Sequence, residues 1–386
     1  MDLLFFSDQW DEKWRRRQQL AWRLGKALKA KVVYVEFPLP LTSLLKYFLG
    51  FGDSEAAFRW RRTFRKGLLF QESEQGVWVV TPTALTRQFD EVAFNGGYVR
   101  KQIEDDFQKL EVIPAQSKVI VSHPFWSLGF YKALGIEKID VYDCTEDFSE
   151  VYHLSEGWKA TIRRNNEALS KASKAVTCVT QVLVDQHISW NANTHLVPNA
   201  TDLEAFEVAE RRYDFRKIFG IEGDAVILGY VGGVNKRFDV DLMAKILVNY
   251  KTWHLIIAGT TSLNDARTKG FLSLDNVHCL GQVPYKDVPR FLKGVDICVL
   301  PHKVDALTES QSSMKLYDYI ASGKPIVSTF PPGVLRVEYY RRANSLKEWV
   351  DAINMLSTHY PAGKNNCPSL EIYWGNRVDQ MVKILG

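Results

Sequence analysis

Long apolar runs are missing from this chain of 386 residues, and no stretch approaches the roughly 18 residues that a membrane-spanning helix needs. The segment Met1–Trp10 lacks both the basic start and the apolar core of a secretory signal. We therefore expect a cytoplasmic protein, with peripheral binding to the inner face of the cytoplasmic membrane left open.

Cysteine is scarce and scattered, with no Cys-x-x-Cys pair and no Cys/His spacing typical of zinc ligands. A structural zinc site is therefore not expected. Four of the five cysteines lie in or beside apolar runs, which is typical of buried free thiols. The five are Cys144, Cys178, Cys279, Cys298 and Cys367. The net charge of +4 is too small to indicate a nucleic-acid-binding protein.

Short apolar runs alternate with helical patterns, such as Lys13–Lys29 and Trp158–Ala172, along the chain. This alternation is typical of an α/β protein with a parallel, doubly wound sheet. Two such series predict two Rossmann-like domains, at 1–200 and 201–370, with a cleft between them. The first series of predicted strands is Asp2–Phe6, Lys31–Val35, Val77–Thr81, Lys118–Ser122, Ile139–Asp143, Ala175–Val179 and His195–Val197. The second series is Ala225–Val231, Trp253–Ala258, Val277–Leu280, Ile297–Leu300 and Pro325–Val327.

A glycine-rich loop follows the first strand of the second series. Gly232 and Gly233 would let the backbone approach a diphosphate closely, and Lys236 or Arg237 could neutralise its charge. The glycines do not have the Gly-x-Gly-x-x-Gly spacing of dinucleotide-binding proteins, and no acid follows the next strand. A dinucleotide-dependent oxidoreductase is therefore disfavoured. On its own the loop also fits an ordinary tight turn.

The most informative segment is 308–329, where a Ser-rich loop runs into a short helix that stops at Gly323. The unpaired N–H groups and the dipole of a helix N-terminus favour an anion. We predict a phosphate cradle there, with Lys315 as the cation and Asp318, one turn later, as a carboxylate for sugar hydroxyls. The other predicted members are Ser312, Ser313 and Met314. The alternative is a solvated lysine and aspartate on an amphipathic helix.

The run Tyr319–Val327 reads Tyr-Ile-Ala-Ser-Gly-Lys-Pro-Ile-Val. It resembles the YxAxGxP(I/V)V tail of GT-B glycosyltransferases of family 4, particularly the subgroup that makes teichuronic-acid-like surface polymers. The Glu-x7-Glu pair of that family is altered, because Asp318 takes the second position and Ser310 the first. The interdomain PNGVD motif of the family is altered too, because Ala200 replaces its glycine.

The resemblance implies a GT-B hexosyltransferase that moves a sugar from an NDP-sugar, with UDP favoured, to a glycan or lipid-linked saccharide in bacterial surface-polysaccharide synthesis. It implies acceptor binding in the first domain, donor binding in the second, and a C-terminal helix at 371–386 that crosses back to the first. No metal ion would be required, and the anomeric configuration would be retained.

Two further residues of the second domain are candidates for donor binding. The resemblance implies that Tyr285 lies beside the nucleotide base, although an ordinary surface tyrosine is an equal alternative. His302 ends a predicted parallel strand, and the carboxyl ends of such strands form the ligand crevice of α/β proteins. We therefore expect His302 to line the donor site.

Three acids, Asp143, Glu146 and Asp147, follow a predicted strand of the first domain. Clustered acids raise one another's pKa, which suits a general base for an acceptor hydroxyl. The run resembles the YDCxDDFS segment of the surface-polymer subgroup. Asp143 and Asp147 are the preferred base candidates, with His123 as a rival and His153 as a weaker one. An acidic loop that caps the following helix is the alternative.

The segment 41–70 places apolar and aromatic residues before five cations within eight positions. This pattern predicts a membrane-surface element in which basic side chains meet anionic lipid and rings sit at the headgroup level. A core helix with a solvated basic face is the alternative. The apolar residues include Leu44, Leu45, Tyr47, Phe48, Leu49 and Phe51, and the cations are Arg59, Arg61, Arg62, Arg65 and Lys66.

Two further functions stay open at this stage. An NDP-sugar epimerase shares the GT-B fold but acts on the donor itself, and the basic-aromatic segment argues against it. The departures at Ser310 and Ala200 leave room for a non-catalytic partner subunit that binds a sugar nucleotide or a membrane.

Overall fold

A computed structural model describes residues 1–11, 15–50, 54–72, 74–85, 94–150, 154–202, 205–206, 212–330, 338–359 and 370–386. The chain divides into two compact units: unit 1 is Met1–Pro198 with Arg377–Gly386, and unit 2 is Asn199–Asn376. Phe51, His153 and Cys367, named above, lie outside the described residues. Within the described ranges, no helix is both long enough and apolar enough to cross a bilayer.

The strands of unit 1 are β1 (Asp2–Ser7), β2 (Lys31–Glu36), β3 (Leu39–Pro40), β4 (Leu69–Glu72), β5 (Val77–Val80), β6 (Thr83–Ala84), β7 (Lys118–Val121), β8 (Ile139–Cys144), β9 (Ser173–Cys178) and β10 (Thr194–Leu196). One sheet has the order β10-β9-β8-β7-β1-β2-β5-β4, and β3 pairs with β6. The strands of the large sheet run parallel except β4, which is antiparallel to β5. Strand β4 was not predicted, because its first two residues, Leu69 and Phe70, fall in the segment 41–70 that was assigned to a surface element.

The helices of unit 1 are α1 (Arg16–Leu28), α2 (Leu41–Phe48), α3 (Ser54–Lys66), α4 (Phe94–Lys109), α5 (Leu128–Ala133), α6 (Glu156–Ala172) and α7 (Gln181–His187). Short 3₁₀ turns lie at Pro114–Gln116 and Phe148–Glu150. The predicted patterns Lys13–Lys29 and Trp158–Ala172 correspond to α1 and α6.

Unit 2 contains β11 (Val226–Val231), β12 (Trp253–Ala258), β13 (Val277–Gly281), β14 (Ile297–Leu300), β15 (Ile326–Ser328) and β16 (Tyr340–Arg342). They form an all-parallel sheet of order β13-β12-β11-β14-β15-β16. Counted within the unit, this is the 3-2-1-4-5-6 order of the Rossmann fold. The parallel strands of unit 1 have the same order around β1, so the predicted doubly wound α/β architecture is confirmed.

The helices that follow along the chain are α8 (Phe215–Phe219), α9 (Val240–Asn249), α10 (Ala266–Leu272), α11 (Val288–Gly294), α12 (Ala306–Ser310), α13 (Met314–Ala321), α14 (Leu346–His359) and α15 (Trp374–Leu385). Short 3₁₀ turns lie at Tyr285–Asp287 and Leu370–Ile372. Helix α15 starts within unit 2, but its residues from Arg377 onward belong to unit 1. There the Lys118 Nζ donates a hydrogen bond to the Leu385 carbonyl oxygen at 2.6 Å.

The central strands of both sheets are buried along their length, as in Leu3–Phe6 and Leu255–Ile257. Helices cover both faces of a parallel sheet, so its strands read as continuous apolar runs. Polar groups therefore concentrate where the strands end, and the candidate site residues lie there.

Candidate functional site

The glycine-rich loop of unit 2 begins directly after β11. The φ of Gly232 is 129°, a conformation that favours glycine. Its N–H donates to the Ala258 carbonyl oxygen at 2.8 Å, which ties the loop to the end of β12. A Cβ on Gly232 would lie 2.5 Å from both Cε and Nζ of Lys315. The missing side chain of this glycine therefore makes the space that the lysine occupies.

Lys315 lies in the first turn of α13, as predicted. Its Nζ donates to the Tyr230 hydroxyl at 3.2 Å and lies 4.9 Å from the centroid of the same ring. Burial, together with the nearby Arg237 guanidinium, lowers the pKa of Lys315 to about 8. The neighbouring carboxylate of Asp318 acts to raise the pKa of Lys315. The amine is thus charged at neutral pH but less basic than an exposed lysine.

Asp318 is buried on the same helix and accepts a hydrogen bond from the Thr201 hydroxyl at 2.5 Å. Burial raises the pKa of Asp318 to about 7, although hydrogen bonds from Thr201 and Tyr285 and the charge of Lys315 act to lower it. A carboxyl group with this pKa exchanges its proton near neutral pH. The predicted exposed helix acid is therefore excluded as an interpretation of Asp318.

His302 is buried just beyond the end of β14. Its Nε2 lies 3.2 Å from the Tyr230 hydroxyl, and its backbone N–H donates to the Thr329 hydroxyl at 3.2 Å. Burial, followed by the charges of Lys315 and Arg237, lowers the pKa of His302 well below its ordinary value of 6.5. The ring is therefore neutral at neutral pH. Its Nδ1 is buried and has no hydrogen-bond partner among the residues that the structure describes.

The remaining predicted donor-binding residues differ in how closely they pack near Lys315, Asp318 and His302. Arg237 is half-buried and donates to the Gln311 side chain at 3.2 Å, whereas Lys236 is exposed. Arg237 is therefore the better placed of the two loop cations. Ser313 holds the N-cap position of α13, before Met314, and its side chain caps no backbone N–H.

Three neighbours complete this end of unit 2. The Ser312 hydroxyl lies 3.1 Å from the Tyr317 hydroxyl, and the Ser312 carbonyl oxygen accepts a bond from Asn199. Gly233 packs closely as well, because its Cβ would lie 3.1 Å from the Thr260 carbonyl oxygen. Tyr285 is half-buried in its 3₁₀ turn, near Asp318.

Two residues of this site were missed from the sequence, Tyr230 and Thr201. Tyr230 lies inside the buried strand β11 and contacts both Lys315 and His302, while Thr201 binds Asp318. A signal for Tyr230 was present, because a tyrosine within a buried apolar strand needs a partner for its hydroxyl. Thr201 gave none, since its partner is 117 positions away.

The structure argues against Asp143 as a general base in unit 1. Asp143 is fully buried at the end of β8, and both carboxylate oxygens accept bonds from Arg16, at 2.9 to 3.3 Å. The Thr177 hydroxyl donates to it as well, at 2.8 Å. With no exposed oxygen, this carboxylate anchors the Arg16 guanidinium and is not available to a substrate.

Asp147 is half-buried and caps the turn that follows it. Its Oδ1 accepts bonds from the Ser149 N–H at 3.0 Å and from the Ser149 hydroxyl at 2.6 Å. This matches the alternative of an acidic loop that caps a helix. Asp147 keeps more exposure than Asp143, so its role as a base stays a prediction.

His123 lies in a cage of aromatic rings at the end of β7. Its ring centroid is 4.7 Å from that of Phe37, 5.5 Å from Phe125 and 4.6 Å from Phe148. Burial, followed by the charge of Arg17, lowers the pKa of His123 well below 6.5. Both ring nitrogens are buried and find no partner in the described part of the chain. His123 is thus a neutral imidazole with unused hydrogen-bonding capacity.

Two of the five predicted surface cations are instead part of a buried ion-pair cluster. Arg62 donates to both oxygens of Glu36, at 2.8 and 2.6 Å, and Arg59 approaches the same carboxylate at 3.3 Å. Although burial acts to raise it, Arg62 and Arg59 lower the pKa of Glu36 below its ordinary value. The prediction that Arg59 and Arg62 meet lipid is therefore wrong.

Other residues of the segment do lie at the surface, although Trp60 and Phe70 are buried. Leu45, Phe48, Leu49 and Phe64 are 58 to 69% exposed and are called the apolar patch below. The rings of Phe48 and Phe64 are 6.1 Å apart, so the two helices α2 and α3 present one continuous surface. Exposed cations of the same helices, Lys46, Arg61, Arg65 and Lys66, accompany it.

Comparison with known proteins relates part of unit 2 to a family of glycosyltransferases. Residues 225–358 match the model of a family described as glycosyl transferases group 1. This span contains the glycine loop, His302 and the segment from Ser312 to Asp318. The matched region is therefore the part of unit 2 that carries the candidate donor residues.

A curated relative points the same way. The chain is 24% identical over 208 residues to the "Putative teichuronic acid biosynthesis glycosyltransferase TuaH" of Bacillus subtilis (strain 168). The match covers 51% of this chain and 52% of the relative, so the chain spans about half the length of the curated protein it matches.

Solved structures show the fold. Sucrose-phosphate synthase from Thermosynechococcus elongatus superposes with a TM-score of 0.68 at 12% identity, covering 100% of this chain and 98% of that one. Anabaena Alr3699/HepE, solved in complex with UDP and glucose, gives a TM-score of 0.66 at 12% identity and covers 100% and 99%. The chain therefore has the GT-B fold of glycosyltransferases, as its sequence predicted.

Proposed function

We propose that the chain is a glycosyltransferase whose unit 2 binds a nucleoside diphosphate sugar, with UDP as the nucleotide. The observation that carries the proposal is the position of Lys315. Its amine lies over Gly232, at the N-terminal turn of α13, beside a second cation, Arg237. Two cations and a helix N-terminus form a preorganised site for the two phosphates.

The other residues of unit 2 support the same assignment. Asp318, with Thr201, offers oxygens for the hydroxyl groups of a ribose, and Tyr285 lies close by. The matched family span includes Asp318 and Tyr285, and the structurally similar Anabaena protein was solved with UDP. In the transfer, Lys315, Arg237 and the helix N-terminus would stabilise the charge that develops on the departing diphosphate. This chemistry calls for no metal ion.

We propose that His123 is the group of unit 1 that forms a hydrogen bond with a substrate hydroxyl. It is neutral, and its two ring nitrogens have no partner in the described part of the chain, whereas Asp143 is fully engaged with Arg16. An inverting transfer needs a general base on the side of the sugar opposite the departing diphosphate. Because Asp143 is bound to Arg16, one candidate for that base is removed, which favours retention of the anomeric configuration. The anomeric signal of the product in an NMR spectrum tests this. An inverted product would mean that a group of unit 1, His123 or Asp147, acts as a general base.

The first experiment separates an enzyme from a binding partner subunit. Purified protein is incubated with UDP-sugars, and the release of UDP is measured for the wild type, Lys315→Ala and Lys236→Ala. We expect slow hydrolysis that Lys315→Ala abolishes and Lys236→Ala keeps, because Lys236 is exposed and outside the cluster. Binding of UDP without any turnover, with or without saccharide acceptors, would favour the non-catalytic subunit.

For the acceptor, we propose a glycan or lipid-linked saccharide of a bacterial surface polymer, reached by docking on the inner face of the cytoplasmic membrane. The apolar patch supports this, since helices α2 and α3 expose aromatic and aliphatic side chains beside lysine and arginine. Such a surface matches an anionic bilayer: the rings enter the headgroup region and the cations meet lipid phosphate.

Vesicle sedimentation tests the docking surface. The wild type should bind vesicles that contain phosphatidylglycerol, and Phe48→Glu with Phe64→Glu should bind at least tenfold more weakly. The control Leu346→Glu changes a residue that is 41% exposed in unit 2 and should not alter binding. Equal binding by all variants, or none by the wild type, would contradict the assignment.

A further inference from the structure

Tyr230 is a fully buried residue of β11 that no motif points to. Its hydroxyl lies 3.3 Å from the Gly233 carbonyl oxygen, 3.2 Å from His302 Nε2 and 3.2 Å from Lys315 Nζ. One oxygen atom thus joins the glycine loop, the end of β14 and the start of α13. These are the three elements that carry the candidate phosphate site.

The hydrogen-bonding capacity of a hydroxyl restricts how these contacts are made. A tyrosine hydroxyl donates one proton and accepts at its lone pairs, while an ammonium group only donates. All three contacts are satisfied together when Tyr230 donates to Gly233 and accepts from both Lys315 and His302. The Tyr230 hydroxyl then also selects the tautomer of His302 that carries its proton on Nε2.

The ring of Tyr230 holds the lysine from a second direction. Lys315 Nζ lies over this ring, and the ring packs edge-on against Phe238, with 4.9 Å between centroids. Gly232 leaves the space in which the lysine lies. A free lysine loses rotamer entropy when it is fixed, so a lysine held in advance binds its ligand more tightly.

We infer that Tyr230 is a positioning residue of the donor site, whose hydroxyl and ring hold the Lys315 amine in place for the diphosphate. The inference rests on the proposed function of Lys315. The charged and titratable groups around this amine are Arg237, His302, Asp318 and Tyr230 itself.

The substitution Tyr230→Phe keeps the ring and removes the hydroxyl. UDP affinity is measured by calorimetry at pH 6.5 and pH 8.5, with Tyr250→Phe as the matched control in the same unit. We expect about tenfold weaker binding at pH 6.5, since a hydrogen bond to a charged group is lost. The loss should be larger at pH 8.5, because an amine without its acceptor gives up its proton more readily.

A purely structural role would weaken binding equally at both pH values, and that result, or no loss at all, would overturn the inference. If Tyr230→Phe does not fold, Phe238→Leu loosens the same ring and keeps the hydroxyl. It should weaken UDP binding about threefold at pH 6.5, and by more at pH 8.5.

A readout without nucleotide separates this inference from the proposed function. Competitive acylation of lysines across pH, followed by mass spectrometry, reports the pKa of Lys315 in the free protein. Tyr230→Phe should lower that pKa, and an unchanged value would refute the positioning role. Failure of the wild type to bind any nucleotide, with the shift in Lys315 reactivity present, would refute the donor site and leave the hold of Tyr230 on Lys315 standing.

Discussion

His123 in unit 1 and His302 in unit 2 occupy equivalent places, since each lies two residues after the fourth parallel strand of its sheet, counted along the chain. Both are buried, and both have a pKa well below 6.5, caused first by burial and then by neighbouring cations. Their surroundings differ. His302 bonds to a tyrosine that also holds a lysine, whereas His123 is enclosed by aromatic rings and leaves both nitrogens without a described partner.

The charges around the two histidines differ in the same way. In unit 1, the arginines near the strand ends are paired with carboxylates, as in Arg16 with Asp143 and Arg17 with Asp8. In unit 2, Lys315 lies beside a second cation, and its hydrogen-bond acceptor is the hydroxyl of Tyr230. The same sheet topology thus supports a site whose charges are neutralised internally and a site suited to an external anion.

The largest effect should come from breaking the ion pairs of unit 1 at Glu36. In Glu36→Gln, the guanidiniums of Arg59 and Arg62 lose their buried counter-charge. We expect the free energy of unfolding to fall by about 3–5 kcal/mol, measured by urea unfolding. Glu72→Gln, which removes the half-buried partner of the exposed Lys66, should cost less than about 1 kcal/mol. Similar costs for both variants would show that burial does not set the strength of these pairs.

The second effect concerns Asp318 of unit 2. Because its pKa is about 7 in the folded chain against an ordinary 3.8, the folded state holds a proton that the unfolded state releases between these values. The contribution of Asp318 to the free energy of unfolding should therefore fall as pH rises from about 4 to about 7, by on the order of 3 kcal/mol.

Asp318→Asn should remove this pH dependence, while Asp241→Asn, which removes an exposed partner of Arg267, should keep it. Thermal unfolding across this pH range measures both. A difference between the wild type and Asp318→Asn that stays constant between pH 4 and 7 would contradict the raised pKa of Asp318.

The sequence predicted what depends on local patterns. Continuous apolar runs such as those of β2 and β12 located the sheets, because strands covered on both faces must be apolar throughout. The Ser-rich loop located the start of α13, because unsatisfied N–H groups at a helix start call for polar partners. Lys315 and Gly232 were also predicted from local patterns. Their contact with each other was not predicted.

What the sequence did not predict depends on long-range pairing. Arg59 and Arg62 looked like exposed cations, since nothing local indicates that Glu36, more than 20 positions away, is buried beneath them. Asp143 looked like a base because it lies at the end of a strand, and its partner Arg16 is 127 positions distant. Charged residues at strand ends therefore cannot be assigned as catalytic or structural before their partners are known.

The third prediction tests the close packing of Gly232 in unit 2. In Gly232→Ala, the new Cβ would displace the Lys315 amine, 2.5 Å away, and the backbone would be strained at a φ of 129°. We expect about tenfold weaker UDP binding by calorimetry, equivalent to about 1.4 kcal/mol. Gly223→Ala shares the positive φ but has nothing within 4 Å of its Cβ, so it should leave binding unchanged. Equal losses in both variants would assign the effect to backbone strain alone.

The smallest expected effect is a change in the free energy of unfolding that has opposite signs for substitutions of the two histidines. His123→Phe places an apolar ring in an aromatic cage and removes two buried nitrogens that have no described partner, so it should raise the free energy of unfolding at pH 7.5 by about 1 kcal/mol.

His302→Phe instead removes a partner of the Tyr230 hydroxyl and should lower that free energy by about 1 kcal/mol. Urea unfolding of both variants at the same pH measures the difference. Changes of the same sign would mean that His123 has a partner that stabilises the fold. Opposite signs, together with loss of transfer in His123→Phe, would mean that unit 1 keeps a polar ring at a cost in stability because a substrate needs it.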